Sequence, residues 1–381
     1  MGIYTKQSGT WRTLRTPYVE INTGGFVPSY TPWSYSSIVH VKESGTWKTT
    51  FPMGVFSTLS ATMSTSHSGG GSSNSESGSS ATFFGGFNGN FHTQLATTNE
   101  YNGSSFSTGG NLNTARMYLG STGSAASPLA WCGHQSTSSP TTWTFFNTTE
   151  EYTASTSTWT NTSTTYVFQR PHSWLVGGAG TQAAALGFAG QYESGGNFYG
   201  SDYTREYNGF FNQWFTGGSM PYPAYNRCGC GTQTAAVAFG GFENDDPNRT
   251  SPQDQSASSP TYTAAANRTI ATYDGTSWTS FTNNIEFDRS MNWSIYRRTA
   301  SGTQSACLMF SSEFFSSPSI GITRQKQAYE FDNITLAVAG FTISERQFSQ
   351  ISGGLSSNGI IAGGRSSSQF LTSAEIYTRY T

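Results

Sequence analysis

Charge is what this chain has least of. Of its 381 residues 19 are Lys or Arg and 21 are Asp or Glu, a charged share of 10% and a formal net charge of −2. An average soluble protein carries roughly 25% charged residues. A near-neutral chain has no basic patch to replace the counterions of a nucleic acid, so no nucleic-acid partner is expected. Apolar runs of about 18 residues are also missing, so no membrane insertion by a helix is expected. The opening MGIYTKQSGTW lacks the charged and apolar regions of a secretory leader. Lys6 stands where a myristoylation signal needs Ser or Thr. Synthesis in a cytoplasm is expected, with any later location reached by assembly or lysis.

Cysteine is scarce too. Cys228 and Cys230 are two apart, share a face of any strand, and are poorly spaced for a mutual disulfide. No histidine cluster completes a zinc set with them. With Cys132 and Cys307 they are expected to be small buried thiols.

What the chain has is glycine, small polar residues and aromatics: 43 Gly and a 15% aromatic share. Such a mixture suits short strands and turns, with almost no helix. Its aromatics argue against disorder. GAGTQAAALGFAG (178–190), GCGTQTAAVAFGG (229–241) and ASGTQSACLMFSS (300–312) are one phrase written three times. Its ending, an apolar residue and two small ones, recurs about every 55 residues. The small pairs are Gly85-Gly86, Gly133-His134, Ala189-Gly190, Gly240-Gly241, Ser311-Ser312 and Gly363-Gly364.

A second phrase follows each first one, built on Tyr101, Tyr152, Tyr207, Tyr273, Tyr329 and Tyr377. It reads as a strand ending in Tyr, a tight turn of the Asn-Gly or Asp-Gly kind, and a strand opening on an aromatic. Two hairpins per unit make a propeller blade. The fold class expected is all-β, a six-bladed propeller over residues 51–381 closed across the termini. The last unit stops after its third strand, and Thr46–Ser60 is placed to supply the fourth.

Phe239-Gly240-Gly241, Tyr273 and Trp278 in one unit, and Phe188, Gly190, Tyr207 and Trp214 in another, resemble the kelch repeat. Departures are Cys132 and His134 in the second unit, Ser311 and Ser312 in the fifth, and Ile334 in the place of Trp. The stretch STGGNLNTAR (107–116) and the GTQTAAVAFGG wording are similar to kelch-like proteins of marine bacteriophages, especially those of cyanobacteria. That resemblance implies a virion structural protein of tail, fibre, nozzle or capsid-appendage type, present in many copies.

The first fifty residues differ. YTKQSGTWRT (4–13) and HVKESGTWKT (40–49) are two copies of a polar hairpin turned at Ser-Gly. They resemble attachment pieces of virion tail proteins. Residues 1–50 are too few to bury a large core alone. They are expected to be an arm that binds other virion proteins, with Tyr4, Trp11, Tyr30, Trp33, Tyr35 and Trp47 as anchor residues.

The residues do not write an enzyme. The nearest approach to a sialidase Asp box is TYDGTSW (272–278), where Asp274 and Gly275 are adjacent and form a hairpin turn. His40, His67, His92, His134 and His172 share no motif, so no copper or other metal set and no cofactor is expected. Glu100, Glu150, Glu151, Glu206 and Glu375 recur at one blade position before the Tyr. Repetition around a ring suits acceptors for a neighbouring blade; hydrolytic carboxylates would converge on one pocket. The acidic run ENDDPNRTSPQDQ (243–255) lacks the alternation of a calcium loop and reads as a solvated insertion.

The connections after each small pair share one face and carry aromatics beside Asn, Gln and Ser. Phe87, Phe91, Trp143, Phe145, Tyr192, Phe198, Tyr199, Tyr203, Phe314 and Phe315 are the expected contact residues for a host glycan, an outer-membrane protein or a neighbouring subunit. Packing of the same aromatics as local minicores is the other reading. A glycan-active propeller enzyme and a kelch-type interaction module are the alternative functions.

Overall fold

The computed structural model describes residues 3–7, 10–14, 39–43, 46–51, 54–73, 79–89, 92–137, 142–163, 175–194, 197–243, 270–281, 295–316, 321–324, 327–333, 336–341, 344, 346, 350–352, 359–366 and 369–379, some of them by backbone alone. Six of the antiparallel sheets they form are blades, each with four strands ordered from an inner first strand outward, and blade 5 has a fifth strand, Gly321–Arg324, paired to its second. Blade 1 comprises Gly71–Ser72, Ala81–Phe84, Thr98–Tyr101 and Phe106–Gly109. Blade 2 comprises Gly120–Ser124, Ser127–Trp131, Thr149–Thr153 and Thr158–Ser163. Blade 3 comprises Gly177–Gly180, Ala185–Phe188, Thr204–Asn208 and Gln213–Thr216. Blade 4 comprises Cys228–Thr232, Ala235–Phe239, Ile270–Tyr273 and Trp278–Phe281. Blade 5 comprises Ile295–Thr303, Ala306–Ser316, Gln327–Phe331 and Leu336–Phe341.

Blade 6 joins the two ends of the chain. Gln350–Ser352, Ile360–Ala362 and Ser373–Arg379 are completed by the N-terminal strand Gly54–Thr62. The inner strands touch in sequence and the sixth returns to the first, so the ring is closed. One strand closes it. Thr46–Phe51 belongs to a separate sheet, in which the hairpins Ile3–Gln7/Thr10–Leu14 and Val39–Glu43/Thr46–Phe51 meet through Tyr4 and His40.

The register explains the repeated aromatics. Tyr101 pairs across strands with Phe106, Tyr152 with Trp159, Tyr207 with Trp214 and Tyr273 with Trp278. In blade 6 the same pair is Tyr377 and Phe56, so the closing strand supplies the aromatic partner. In blade 5 the pair is Phe331 and Leu336. That corrects the expected Tyr329 and Ile334 by two residues: the Tyr-like spacing in the sequence lies off the structural slot.

Blades 2, 3, 4 and 6 are each bonded to the one before by the same pair of groups, while Tyr101 of blade 1 donates within its own blade to the Gly103 carbonyl and blade 5 carries Phe331 in the slot. Tyr152 Oη donates to Glu100 at 2.7 Å, Tyr207 to Glu151 at 2.9 Å, Tyr273 to Glu206 at 2.6 Å and Tyr377 to Glu330 at 2.5 Å. The indoles of Trp159, Trp214 and Trp278 donate to Thr98, Thr149 and Thr204 at 3.0, 2.9 and 2.8 Å. Glu100, Glu151 and Glu206 are thus the inter-blade acceptors that the repeat implied. Glu150 and Glu375 are not. Each is one residue nearer the strand start, faces the other side, and holds Arg116 or Arg346 in a pair with fully buried side chains.

The small pair is a double left-handed turn. Gly85 and Gly86 have φ of 64° and 87°, Gly240 and Gly241 55° and 96°, and Gly363 and Gly364 66° and 84°. In blade 2 the pair is Cys132 and Gly133, at 56° and 86°, so the expected Gly133-His134 is corrected by one residue. Ser311 and Ser312 do not turn, because the blade 5 strand runs straight on to Ser316.

The thiol expectation is corrected for two cysteines. Cys230, on the inner strand of blade 4, is disulfide-bonded to Cys307 of blade 5, with Cα atoms 6.4 Å apart and a sequence separation of 77. Neighbouring blades bring together what spacing alone kept apart. Cys132 and Cys228 are buried thiols.

Candidate functional site

Antiparallel order places the short turns, first to second and third to fourth strand, on one face of the ring. The connections from second to third strand and from blade to blade lie on the other, here called the loop face.

Beneath the loop face, three adjacent blades carry a buried polar pair in one structural slot. In blade 2, Arg116 also donates to the carbonyls of Cys132 and Thr148, and Asn113 donates to Glu150 through backbone and side chain. In blade 6, Arg346 donates to Glu375 at 3.1 Å and to the carbonyls of Gly363 and Ser373. Burial pulls both guanidinium pKa values down, and the facing carboxylates oppose it. Blade 1 has an uncharged version. Asn99 Nδ2 lies 2.6 Å from His67 Nε2, and His67 Nδ1 lies 2.6 Å from the Gly85 carbonyl. These groups are saturated by the frame and fix the bases of the connections.

The connections above are themselves β-structured. In blade 2, His134–Ser136 pairs with Trp143–Phe145; in blade 3, Gln191–Ser194 pairs with Asn197–Gly200; in blade 5, Gly321–Arg324 pairs with the extended second strand. Trp143 is 44% exposed, while Phe145 is half-buried and parallel to it. The His134 ring is buried, 4.9 Å from Trp143, 5.7 Å from Phe145 and 5.6 Å from Tyr118. Burial pushes its pKa down to about 3, so it stays neutral at ordinary pH.

The expected contact residues divide. Trp143 is exposed as expected. Phe87 is corrected: at 1% exposure it is a minicore residue, packed with Met117, Tyr118 and Phe370. Tyr203 is half-buried against a core cluster that holds Trp131 and Trp214. Tyr192 is half-buried and lies across the blade 3 hairpin from Tyr199. Phe198, Tyr199, Phe314 and Phe315 occupy strand positions, but their side chains lie outside the described residues, as does Phe91 entirely. Of the anchor residues, Tyr4, Trp11 and Trp47 lie on strands of the N-terminal sheet, and Tyr30, Trp33 and Tyr35 lie outside the described residues. The acidic run beyond Glu243 lies outside them too.

Sequence reading missed the most exposed apolar groups among the described residues. Phe210 and Phe211, 88% and 59% exposed, sit at the short turn of blade 3 on the face opposite the loops. The signal was available: the corresponding turns of blades 1 and 4 carry Ser104-Ser105 and Thr276-Ser277 where this one carries Phe-Phe.

No family model matches the sequence, and no curated protein matches it. The chain is similar in fold to the solved structure of YjhT, at 9% identity and a TM-score of 0.61, over 84% of this chain and 97% of that one. At that identity the likeness establishes architecture and selects no activity.

Proposed function

We propose that this chain is a non-enzymatic structural and adhesion component of a bacteriophage particle, a tail fibre, nozzle or capsid appendage. Residues 1–50 attach it to other virion proteins. The propeller is a rigid platform, and its loop face presents a contact surface to the host or to neighbouring subunits.

The observation that carries this reading is how the side chains are used. Glu100, Glu151, Glu206 and Glu330 are held by tyrosines of the next blade, and Glu150 and Glu375 by buried arginines. Trp143 stands exposed on the loop face, beside Ser136, His92 and Gln94. The kelch-like wording shared with marine phage proteins supports a virion setting, and many copies follow from particle symmetry.

The test is occupancy in purified particles. A chain starting at residue 51, which keeps the closing strand, is expected to fold and to be absent from particles. Trp11→Ala with Trp47→Ala in the full chain is expected to lower occupancy. Incorporation of both variants at the wild-type level would sink the attachment role.

A further inference from the structure

We propose that the blade 2 hairpin and the adjoining blade 1 loop form a binding ledge for a neutral pyranose glycan, with Trp143 as its stacking plate. The inference rests on the adhesion reading above and gives its contact surface a chemical class.

Cross-strand pairing sets the geometry. His134 pairs with Phe145 and Ser136 with Trp143, so all four side chains leave one face of the hairpin. Trp143 is braced by two neighbouring rings. Its ring lies 4.9 Å from the His134 imidazole and is inclined by only 14° to Phe145, 6.5 Å away. A plate supported in this way loses little freedom when a ligand lands on it. Yet 44% of the residue is open to solvent. Leaving that much of a large aromatic in water is unfavourable, and it gains by being covered.

The rim beside the plate is polar and comes from the neighbouring blade. His92 Nδ1 and Gln94 Nε2 both reach Ser136 Oγ, each at 3.2 Å, and Ser136 is the residue directly opposite Trp143. The imidazole and carboxamide bring donor and acceptor groups to the edge of an apolar plate. Trp143, Phe145, His134, Ser136, His92 and Gln94 include no Asp, Glu, Lys or Arg. A flat aromatic face with a hydrogen-bonding rim of imidazole, carboxamide and hydroxyl groups complements a neutral sugar ring, which has one face of C–H groups and a rim of hydroxyls. An anionic sugar would find no Lys or Arg among these six residues.

The experiment is titration of the full-length protein with neutral gluco-, manno- and galacto-oligosaccharides, and with an oligogalacturonate as the anionic probe. Heat and tryptophan fluorescence are the readouts. Saturable binding of a neutral oligosaccharide is expected. Trp143→Ala should weaken it by at least about tenfold, whereas Trp143→Phe, which keeps a ring, should stay within about threefold. Gln94→Ala should weaken it several-fold, and Phe210→Ser on the opposite face should leave it unchanged. Circular dichroism and melting of Trp143→Ala should match wild type, since the residue is exposed. No binding of any neutral probe up to about 10 mM, binding of the anionic probe alone, or full binding by folded Trp143→Ala would each overturn the ledge. Particle occupancy is read separately, so loss of sugar binding with normal incorporation rejects the ledge and leaves the virion reading standing.

Discussion

His67 lies where the closing strand leaves blade 6 and enters blade 1. Its backbone carbonyl accepts from Gly364 of blade 6, and its ring lies 2.6 Å from the Gly85 carbonyl of blade 1. Because that carbonyl can only accept, Nδ1 carries the proton and Nε2 accepts from Asn99. Asn99 is oriented in turn by Ser64, whose backbone N–H donates to Oδ1 at 2.9 Å. A second ring proton would face the amide donor of Asn99. Burial lowers the pKa to about 4 from 6.5. The unfolded chain therefore binds the proton first, and stability is lost as pH falls through that window. A shift of this size corresponds to about 3 kcal/mol when complete. His134 acts in the same direction. Glu151 and Glu330, whose pKa values burial raises, act in the opposite direction. Denaturation midpoints should thus fall between pH 6.5 and 5, with a shallower slope in His67→Gln; an equal slope in that variant would refute the assignment.

At the same scale, the double left-handed turn distinguishes its two positions. The first tolerates Cys132 and Ala189 at φ of 56° and 59°. At the second, a Cβ on Gly86 would lie 2.5 Å from the Ser68 carbonyl oxygen, and one on Gly133 2.8 Å from that of Met117. Ala189→Gly should therefore be neutral or stabilising by up to about 1 kcal/mol, as relief of strain offsets lost chain stiffness. Gly86→Ala should cost about 2 kcal/mol or more. Thermal melts of the pair check the contrast.

Among elements, the repeated Gly-Thr-Gln turn is a joint between blades. Gln182 Nε2 donates to the Pro128 and Tyr152 carbonyls, Gln233 to those of Ala185 and Tyr207, and Gln304 to those of Ala236 and Tyr273. Each carboxamide thus reaches two strands of the preceding blade. Gln233→Ala and Gln304→Ala are each expected to cost roughly 1–3 kcal/mol, by leaving two carbonyls short of a donor. As the joints lie between different blades, the double variant should be close to additive. Chemical denaturation of the three variants measures both. The phrase was legible as a repeat in the sequence, but its glutamine was not legible as a cross-blade donor, since its acceptors lie 26 to 68 residues away.

For the whole molecule, closure decides stability. The termini meet in blade 6, where Phe56 is buried against Tyr377 with ring centroids 5.1 Å apart. A chain beginning at Gly54 keeps that strand and should melt close to the full-length protein. A chain beginning at Met63 removes it, uncovers Tyr377, and opens an edge between the last blade and the first. Its melting temperature should fall by at least about ten degrees, or the protein should fail to fold. Equal melting of the two truncations would mean that the seam contributes nothing.

The sequence by itself determined the number of blades, their all-β character and the framework role of the repeated glutamates. These depend on contacts that recur once per blade, so each is written several times and stands out as a pattern. Tertiary structure alone decided the one-residue shift to Cys132-Gly133, the Phe331–Leu336 pair, the Cys230–Cys307 bond and the burial of Phe87. It also decided which aromatics face water: Trp143 over its hairpin, and Phe210 with Phe211 on the opposite face. Such features occur once. Their partners come from another blade, and whether a Phe is plate or minicore depends on which loop lies across it, something that residue type and local spacing do not encode.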